Sequence, residues 1–329
     1  MFNSSFAREM TDYLELRTAV LSASSASNDR RVLLLLDQYL VLSGFQGKEL
    51  TEDILSAWSK TLSGKSKTVK EKLAVVRGFG KYLNTLGHQS FLPTLPKVKS
   101  DYIPYIFLDE EIVSIFHYAD NLTPQNPRSC SSFFQLKIPM ALRILYSCGT
   151  RLQETMSLQR KDVDFKNRTL FLKKTKFSKE RVIPVHESLI AVMERYCLTL
   201  GIMHEPEAFL FPGRKEGSHY TTRQMDSWFS EILKLADIDQ RERDCHERGA
   251  CLHCFRHLFV LKSMQQLEAA GHPVDMNDLL LPTYLGHECL LDTDKYMRFS
   301  GGQVAGAIEA FESFTSGLIP DVEVPYEEE

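Results

Sequence analysis

Apolar residues in the first hundred positions recur at the three- and four-residue spacing of amphipathic helices. The segment 30–45 has one apolar face, and its helical pattern ends at Gly44. The segment 50–62 carries Thr51 as a candidate N-cap followed by two acids. The segment 66–88 has lysines opposite an apolar stripe, whose members are Val69, Leu73, Val76, Phe79, Tyr82 and Leu83. The pattern predicts a helical first domain.

The helical period stops at residues 90–105, where three prolines interrupt the chain. Proline clusters without apolar periodicity are typical of linkers. We therefore expect a domain boundary near residue 101, with a first domain of residues 1–100.

The second half of the chain combines helical patterns with a single hairpin. Two short β-type runs, Thr169–Leu172 and Arg181–Val185, flank a polar, lysine-rich turn. Helical patterns cover 108–120, 133–149 with a break at Gly149, 187–201, and 251–271 with closure at Gly271. The predicted class is mainly α, with a small antiparallel β-sheet in the second domain.

Composition limits the broad class of protein. The chain has 329 residues, 43% of them hydrophobic and 25% charged, which leaves room for two globular domains. It has no apolar run of the ~20 residues that a membrane-spanning helix needs, and its N-terminus lacks the features of a signal peptide. Its seven cysteines are scattered along the chain. We expect a cytoplasmic protein with reduced thiols and no membrane partner.

Positive charge is concentrated in one stretch of the first domain. Between Lys60 and Asp101 there are nine basic and two acidic residues, a local balance of +7 within a chain of net charge −4. Such a patch is typical of a protein that binds a polyanion, although a solvated lysine-rich helix face would show the same pattern. The candidate DNA-binding residues are Lys65, Lys67 and Lys70.

Four short segments of the second domain place polar residues among apolar ones. Each has an ordinary interpretation by itself, such as an i,i+3 ion pair between Arg151 and Glu154 or a solvated turn around Lys176. His253 and Arg256 would share one face of a helix. Taken in chain order, the six residues that stand out are Arg151, Lys176, His253, Arg256, His287 and Tyr296.

This ordered set resembles the tyrosine recombinase (phage integrase) family. The resemblance lies in the segments "GTRLQE", "KTKFSKERVIP", "HCFRH", "LGH" and "DKYMRF", and it covers about residues 104 to 300. The first domain and its junction are similar to those of short integrases carried by bacterial mobile elements. The resemblance implies a two-domain recombinase: a helical core-binding (DNA-clamp) domain at 1–100, a catalytic domain with a C-terminal subunit-exchange helix at 101–316, and an acidic tail at 317–329.

Cleavage of a DNA phosphodiester would require residues of these types. Attack on phosphorus builds negative charge on the non-bridging oxygens, and two guanidinium groups, Arg151 and Arg256, can meet that charge. Attack by Tyr296 would leave a 3′-phosphotyrosine bond and a free 5′-hydroxyl. Because the bond energy stays in the protein–DNA link, we expect no cofactor.

The resemblance implies the remaining roles. Lys176 would protonate the leaving 5′ oxygen, with Lys174 and Lys179 as close rivals. His253 would assist proton transfer, and His287 would hydrogen-bond the scissile phosphate. Glu154 would orient Arg151, because a carboxylate that faces phosphate would repel it. His257 would be structural.

The resemblance implies a site-specific recombinase that works as a homotetramer on two double-stranded DNA recombination sites. Whether sister recombinases take part stays open. Two alternatives also stay open: a type IB topoisomerase-like enzyme with the same site on one duplex, and a catalytically silent DNA-binding accessory protein of the same fold.

One cluster departs from the family pattern. Cys245, His246, Cys251 and Cys254 have donor types that zinc accepts. The resemblance implies chemistry without a metal, so the simpler interpretation is a set of free thiols beside the active site, and a structural zinc site stays open as the alternative.

Overall fold

The computed structural model describes residues 2–98, 104–123, 133–173, 180–240, 249–269 and 281–286. The chain divides into two compact units, Met1–Tyr102 and Ile103–Glu329. None of the helices in the described part is both long and apolar enough to cross a membrane.

The first unit is helical, as predicted. Its helices are α1 (Ala7–Val20), α2 (Ala23–Leu42), α3 (Glu52–Thr61) and α4 (Ser66–Thr85). The hydroxyl of Thr51 accepts a hydrogen bond from the amide of Ile54, so α3 begins at the predicted cap.

The apolar stripe of α4 forms one side of the core of the first unit. Its central residues Leu73, Val76, Phe79 and Leu83 are buried, and Val69 and Tyr82 pack at the margin. The stripe therefore fixes which face of α4 is buried in the first unit. Lys65 is the N-cap residue of α4 and Lys67 lies in its first turn, and both are exposed, whereas Lys70 is half-buried.

The second unit is mixed, with helices around a small antiparallel sheet. Its elements in chain order are α5 (Asp109–Asp120), α6 (Phe134–Cys148), α7 (Leu152–Met156), a 3₁₀ turn (Arg160–Asp162), β1 (Val163–Asp164), β2 (Thr169–Leu172), β3 (Arg181–Pro184), α8 (Glu187–Thr199), α9 (Thr222–Leu235) and α10 (His253–Ala269).

The sheet confirms the predicted hairpin and adds one strand to it. The strand order is β1-β2-β3, and β2 pairs with β3 so that Leu170 faces Ile183 and Leu172 faces Arg181. The mainly α class with a small antiparallel sheet is confirmed. The short strand β1 and the helix α9 were not predicted.

Gly149 ends α6 and turns the chain toward Arg151. Its φ is +56°, and an added Cβ would lie 2.4 Å from Cδ1 of Phe259 on α10. A side chain would be both strained and obstructed there. The close approach brings the start of α7 next to α10, so that Arg151 and Glu154 lie near Arg256.

Candidate active site

The carboxylate of Glu154 lies at the centre of a cluster with two arginines. Glu154 is buried on α7, and its Oε1 accepts from Nη1 of Arg151 at 2.8 Å while its Oε2 accepts from the Arg151 amide at 3.0 Å. The i,i+3 pair expected from the sequence is therefore present. The contact limits the directions that the Arg151 guanidinium can take.

The second arginine, Arg181, belongs to β3 and was missed in the sequence analysis. Its Nη1 and Nη2 donate to the two oxygens of Glu154 at 3.1 and 2.9 Å, and its Nε donates to the carbonyl of Tyr284 at 2.8 Å. One signal could have revealed it. Arg181 lies two positions from buried Ile183, so strand alternation points both side chains to the same face.

The ionisation of Glu154 follows from these partners. Burial acts to raise the pKa of its carboxyl, but the hydrogen bonds from Arg181 and Arg151 outweigh burial and hold the pKa below its ordinary value. The carboxylate is thus charged near neutral pH. It can balance only one of the two guanidinium charges.

Arg256 joins two backbone segments of the site. Its side chain is buried on α10, with Nη1 donating to the carbonyl of Gly149 and Nη2 donating to the carbonyl of Leu285, both at 2.8 Å. These carbonyls precede Arg151 and His287 by two residues each. Two backbone oxygens thus accept from its guanidinium group.

His253 and His257 lie one turn apart on α10. Their rings meet edge to face with centroids 4.7 Å apart, and His253 is exposed whereas His257 is buried. Burial, followed by the nearby His253 and Arg256, lowers the pKa of His257 to about 3. His257 is therefore neutral at physiological pH, in keeping with a structural residue.

Tyr284 is held by packing and not presented for chemistry. Its hydroxyl donates to the carbonyl of Cys148 at 3.2 Å, and its ring stacks on Phe259 at 5.3 Å between centroids. Burial, with Cys148 next in size, raises the pKa of its hydroxyl well above the ordinary value. A tyrosine with these contacts is a poor nucleophile.

Several of the predicted site residues lie outside the described residues. They are Lys174, Lys176, Lys179, Cys245, His246, His287 and Tyr296. Of the lysines near the hairpin turn, the structure describes Lys173, whose ammonium group pairs with buried Asp162. The predicted DNA-binding residues Lys65, Lys67 and Lys70 belong to the first unit.

The two described cysteines of the cluster contact each other at the start of α10. The Sγ atoms of Cys251 and Cys254 are 3.5 Å apart. Within the described residues, no group of three or more His, Cys, Asp or Glu side chains could hold a metal ion.

The arrangement suits an anion better than a cation. Arg151, Arg181 and Arg256 contribute three positive charges against the single carboxylate of Glu154, and none of the three can lose its proton at neutral pH. A phosphate group is the kind of anion that such a cluster binds.

Comparisons with known proteins show the family of the chain. The phage integrase family model matches residues 107–299, more than half of the chain. Tyrosine recombinase XerC of Staphylococcus aureus (strain USA300 / TCH1516) is 25% identical over 276 residues, which is 81% of each chain.

Solved structures share the fold. XerH site-specific recombinase, bound to palindromic difH substrate, matches with a TM-score of 0.66 and 18% identity over 88% of this chain and 80% of its own. The Tn1549 transposon integrase, in complex with circular intermediate DNA, matches with a TM-score of 0.63 and 17% identity over 94% and 100%.

The family match, together with the fold, identifies the chain as a tyrosine recombinase, the class of enzymes that cut and rejoin DNA strands. The chain belongs to the phage integrase family.

Proposed function

We propose that the chain is the recombinase of a mobile element, and that it cuts and rejoins DNA through a 3′-phosphotyrosine bond to Tyr296. The observation that carries the proposal is the bridge made by Arg256. Its guanidinium binds the carbonyls of Gly149 and Leu285 at 2.8 Å. It thereby joins the backbone that leads to Arg151 with the backbone that leads to His287.

The proposed reaction needs no external energy source. The Tyr296 hydroxyl attacks phosphorus, the bond to the 5′ oxygen breaks, and Lys176 donates the proton that this oxygen takes. His253 takes up the proton that the Tyr296 hydroxyl loses. Arg151 and Arg256 offset the negative charge that grows on the non-bridging oxygens, and His287 hydrogen-bonds the phosphate. Attack by a 5′-hydroxyl on the phosphotyrosine reverses the steps and joins the strands.

A nicked suicide substrate tests the proposal. The substrate carries DNA from around the coding gene with a nick just to the 3′ side of the scissile phosphate. The short fragment that bears the free 5′-hydroxyl then diffuses away, and the covalent complex accumulates. We expect peptide mapping to find the DNA on Tyr296. Tyr296→Phe should bind DNA and form no adduct.

Tyr284→Phe is the matched control, because it also removes one hydroxyl from a tyrosine, twelve positions earlier in the sequence. That hydroxyl bonds the carbonyl of Cys148, so its loss should cost stability and leave adduct formation intact. An adduct that persists in the Tyr296 variant, or maps to Tyr284, contradicts the proposal.

Exchange between two labelled duplexes distinguishes recombination from topoisomerase-like relaxation. A wild-type protein that forms no adduct would be an accessory binder.

We also propose assembly as a homotetramer on two duplexes in the cytoplasm, without a cofactor. The support is the helical spacing of Val304, Ile308, Phe311 and Phe314 after two glycines, which fits a segment that docks on a neighbouring subunit. Truncation after Gly302 should leave binding to a single site largely intact and abolish synaptic complexes in native gels. A truncated protein that still forms them contradicts the assembly proposal.

A further inference from the structure

We propose that Arg181 is a positioning residue that compensates the charge of Glu154 and thereby leaves the charge of Arg151 available to the scissile phosphate. The inference rests on the proposed function, because it assigns Arg151 to the phosphate. Its basis is the sharing of one buried carboxylate by two guanidinium groups.

Arg181 and Arg151 make different numbers of contacts with the carboxylate of Glu154. Arg181 meets both oxygens of Glu154 with two guanidinium nitrogens, whereas the Arg151 side chain meets only Oε1. The Arg181 side chain is 12% exposed and the Arg151 side chain is 26% exposed. Arg181 is therefore the buried counter-ion of Glu154, and Arg151 keeps more of its surface open to a ligand.

Counting charges shows what Arg181 contributes. Arg151 and Glu154 alone form a neutral pair, which would add little to the stabilisation of a developing negative charge. With Arg181 present the three side chains carry a net charge of +1, in a partly buried place where screening by water is weak. Glu154 can thus orient Arg151 without cancelling it.

Arg181 also touches the backbone that leads to His287. Its Nε binds the carbonyl of Tyr284, and a Cβ added to Gly286 would lie 3.1 Å from its Nη1. A variant of Arg181 could therefore lose cleavage activity through the charge or through this turn. The experiment must separate the two causes.

Charge compensation makes a prediction that a purely structural role does not. Arg181→Met should slow single-turnover cleavage at saturating DNA by ~10²–10³-fold, the range seen when one transition-state donor is lost. The reason is that Glu154 then neutralises Arg151. Adding Glu154→Gln removes that negative charge, so the double variant should cleave at least ~10-fold faster than Arg181→Met alone. Rates are compared at pH 8, where the carboxyl beside Arg151 stays ionised.

Arg181→Lys provides a second variant in case Arg181→Met does not fold. It keeps the positive charge with fewer hydrogen bonds, so cleavage should stay within ~10-fold of wild type. Adding Glu154→Gln to this variant should give no gain in rate. A folded Arg181→Lys enzyme as slow as Arg181→Met overturns charge compensation.

Arg160→Met is the matched control for loss of a half-buried arginine. Arg160 belongs to the 3₁₀ turn and donates to the carbonyls of Met203 and Val163 at 3.0 and 3.1 Å. Like Arg181, it therefore binds backbone carbonyl oxygen. Unlike Arg181, it has no contact with Glu154 among the described residues. This variant should lower the melting temperature and leave the cleavage rate at saturating DNA near wild type.

The decisive result is the comparison of the single and double variants. If Arg181→Met/Glu154→Gln is no faster than Arg181→Met, or if Arg181→Met cleaves like wild type, the inference is wrong. The wild-type adduct is measured in the same assay. Absence of that adduct contradicts the proposed function itself, whereas normal wild-type cleavage without rescue contradicts only the role of Arg181.

Discussion

Arg181 and Arg256 hold consecutive carbonyl oxygens of one backbone segment. Nε of Arg181 binds the carbonyl of Tyr284, and Nη2 of Arg256 binds the carbonyl of Leu285, each at 2.8 Å. The two arginines come from β3 and α10, so the segment is fixed from two elements in addition to the apolar packing of Leu285. The residue that follows Gly286 in the sequence is His287, to which the proposed function assigns a hydrogen bond to the scissile phosphate.

Gly286 should be sensitive to substitution for this reason. Its φ is +66°, and an added Cβ would approach Nη1 of Arg181 to 3.1 Å. We expect Gly286→Ala to lose ~1 kcal/mol of stability from backbone strain and, in addition, to slow cleavage because the guanidinium must shift. The measurements are urea unfolding and single-turnover cleavage.

Gly201→Ala is the control for Gly286→Ala. Gly201 has a similar φ of +72° in the same unit, and nothing lies within 4 Å of its added Cβ. It should lose similar stability and cleave normally. Equal cleavage by the two variants would show that the contact with Arg181 does not matter.

Much of the fold was predictable because its determinants are local. The stripe of α4, the cap at Thr51 and the glycine break at Gly149 are each readable within a few residues, and the structure has all three. The strand β1 has only two residues, which is too short for a periodic signal. The helix α9 was missed although Met225, Phe229 and Ile232 are buried at helical spacing.

The candidate site was predictable only where a partner lies close in sequence. Arg151 and Glu154 are three residues apart, so helix geometry indicated their contact. Arg181 lies 27 residues from Glu154, and Arg256 lies 107 residues from Gly149. Such pairings depend on how the elements pack, which a single sequence does not give.

Lys176 should act as the general acid of the proposed reaction. Lys176→Ala should slow cleavage by ~10²–10⁴-fold, because the leaving 5′ oxygen then lacks a proton donor. A substrate with a 5′-phosphorothiolate at the scissile bond needs no such proton and should restore most of the rate. Lys173→Ala serves as a control, since its ammonium group already pairs with Asp162. Failure of the rescue would direct attention to Lys174 or Lys179.

The lysines at the start of α4 should carry part of the DNA contact. Each phosphate contact adds ~0.9 to the slope of log affinity against log salt. Replacing Lys65, Lys67 and Lys70 by Gln should flatten that slope, measured by fluorescence anisotropy from low to moderate salt. Replacing Arg8, Arg30 and Arg31 by Gln removes the same charge from exposed positions on α1 and α2 and should change the slope less. Equal slopes for the two triple variants would place the DNA surface elsewhere.

Protonation of His257 should make the second unit sensitive to mild acid. Its folded pKa of about 3 lies below the ordinary value of 6.5, so the unfolded chain takes up the proton first as pH falls. The contribution to stability is complete above pH ~6.5 and is lost on the way down toward pH ~3, at up to ~1.4 kcal/mol per pH unit.

The chain has two tryptophans, and the fluorescence of Trp228 reports on unfolding of the second unit. Trp228 stacks on Phe134 at 4.8 Å in the second unit, so a Trp58→Phe background leaves its fluorescence as the probe of urea unfolding. Between pH 7.5 and pH 5.5 the free energy of unfolding should fall by ~1.4 kcal/mol more with His257 than with His257→Asn. Equal falls in the two proteins would mean that His257 titrates normally in the folded state and is not the acid-sensitive group.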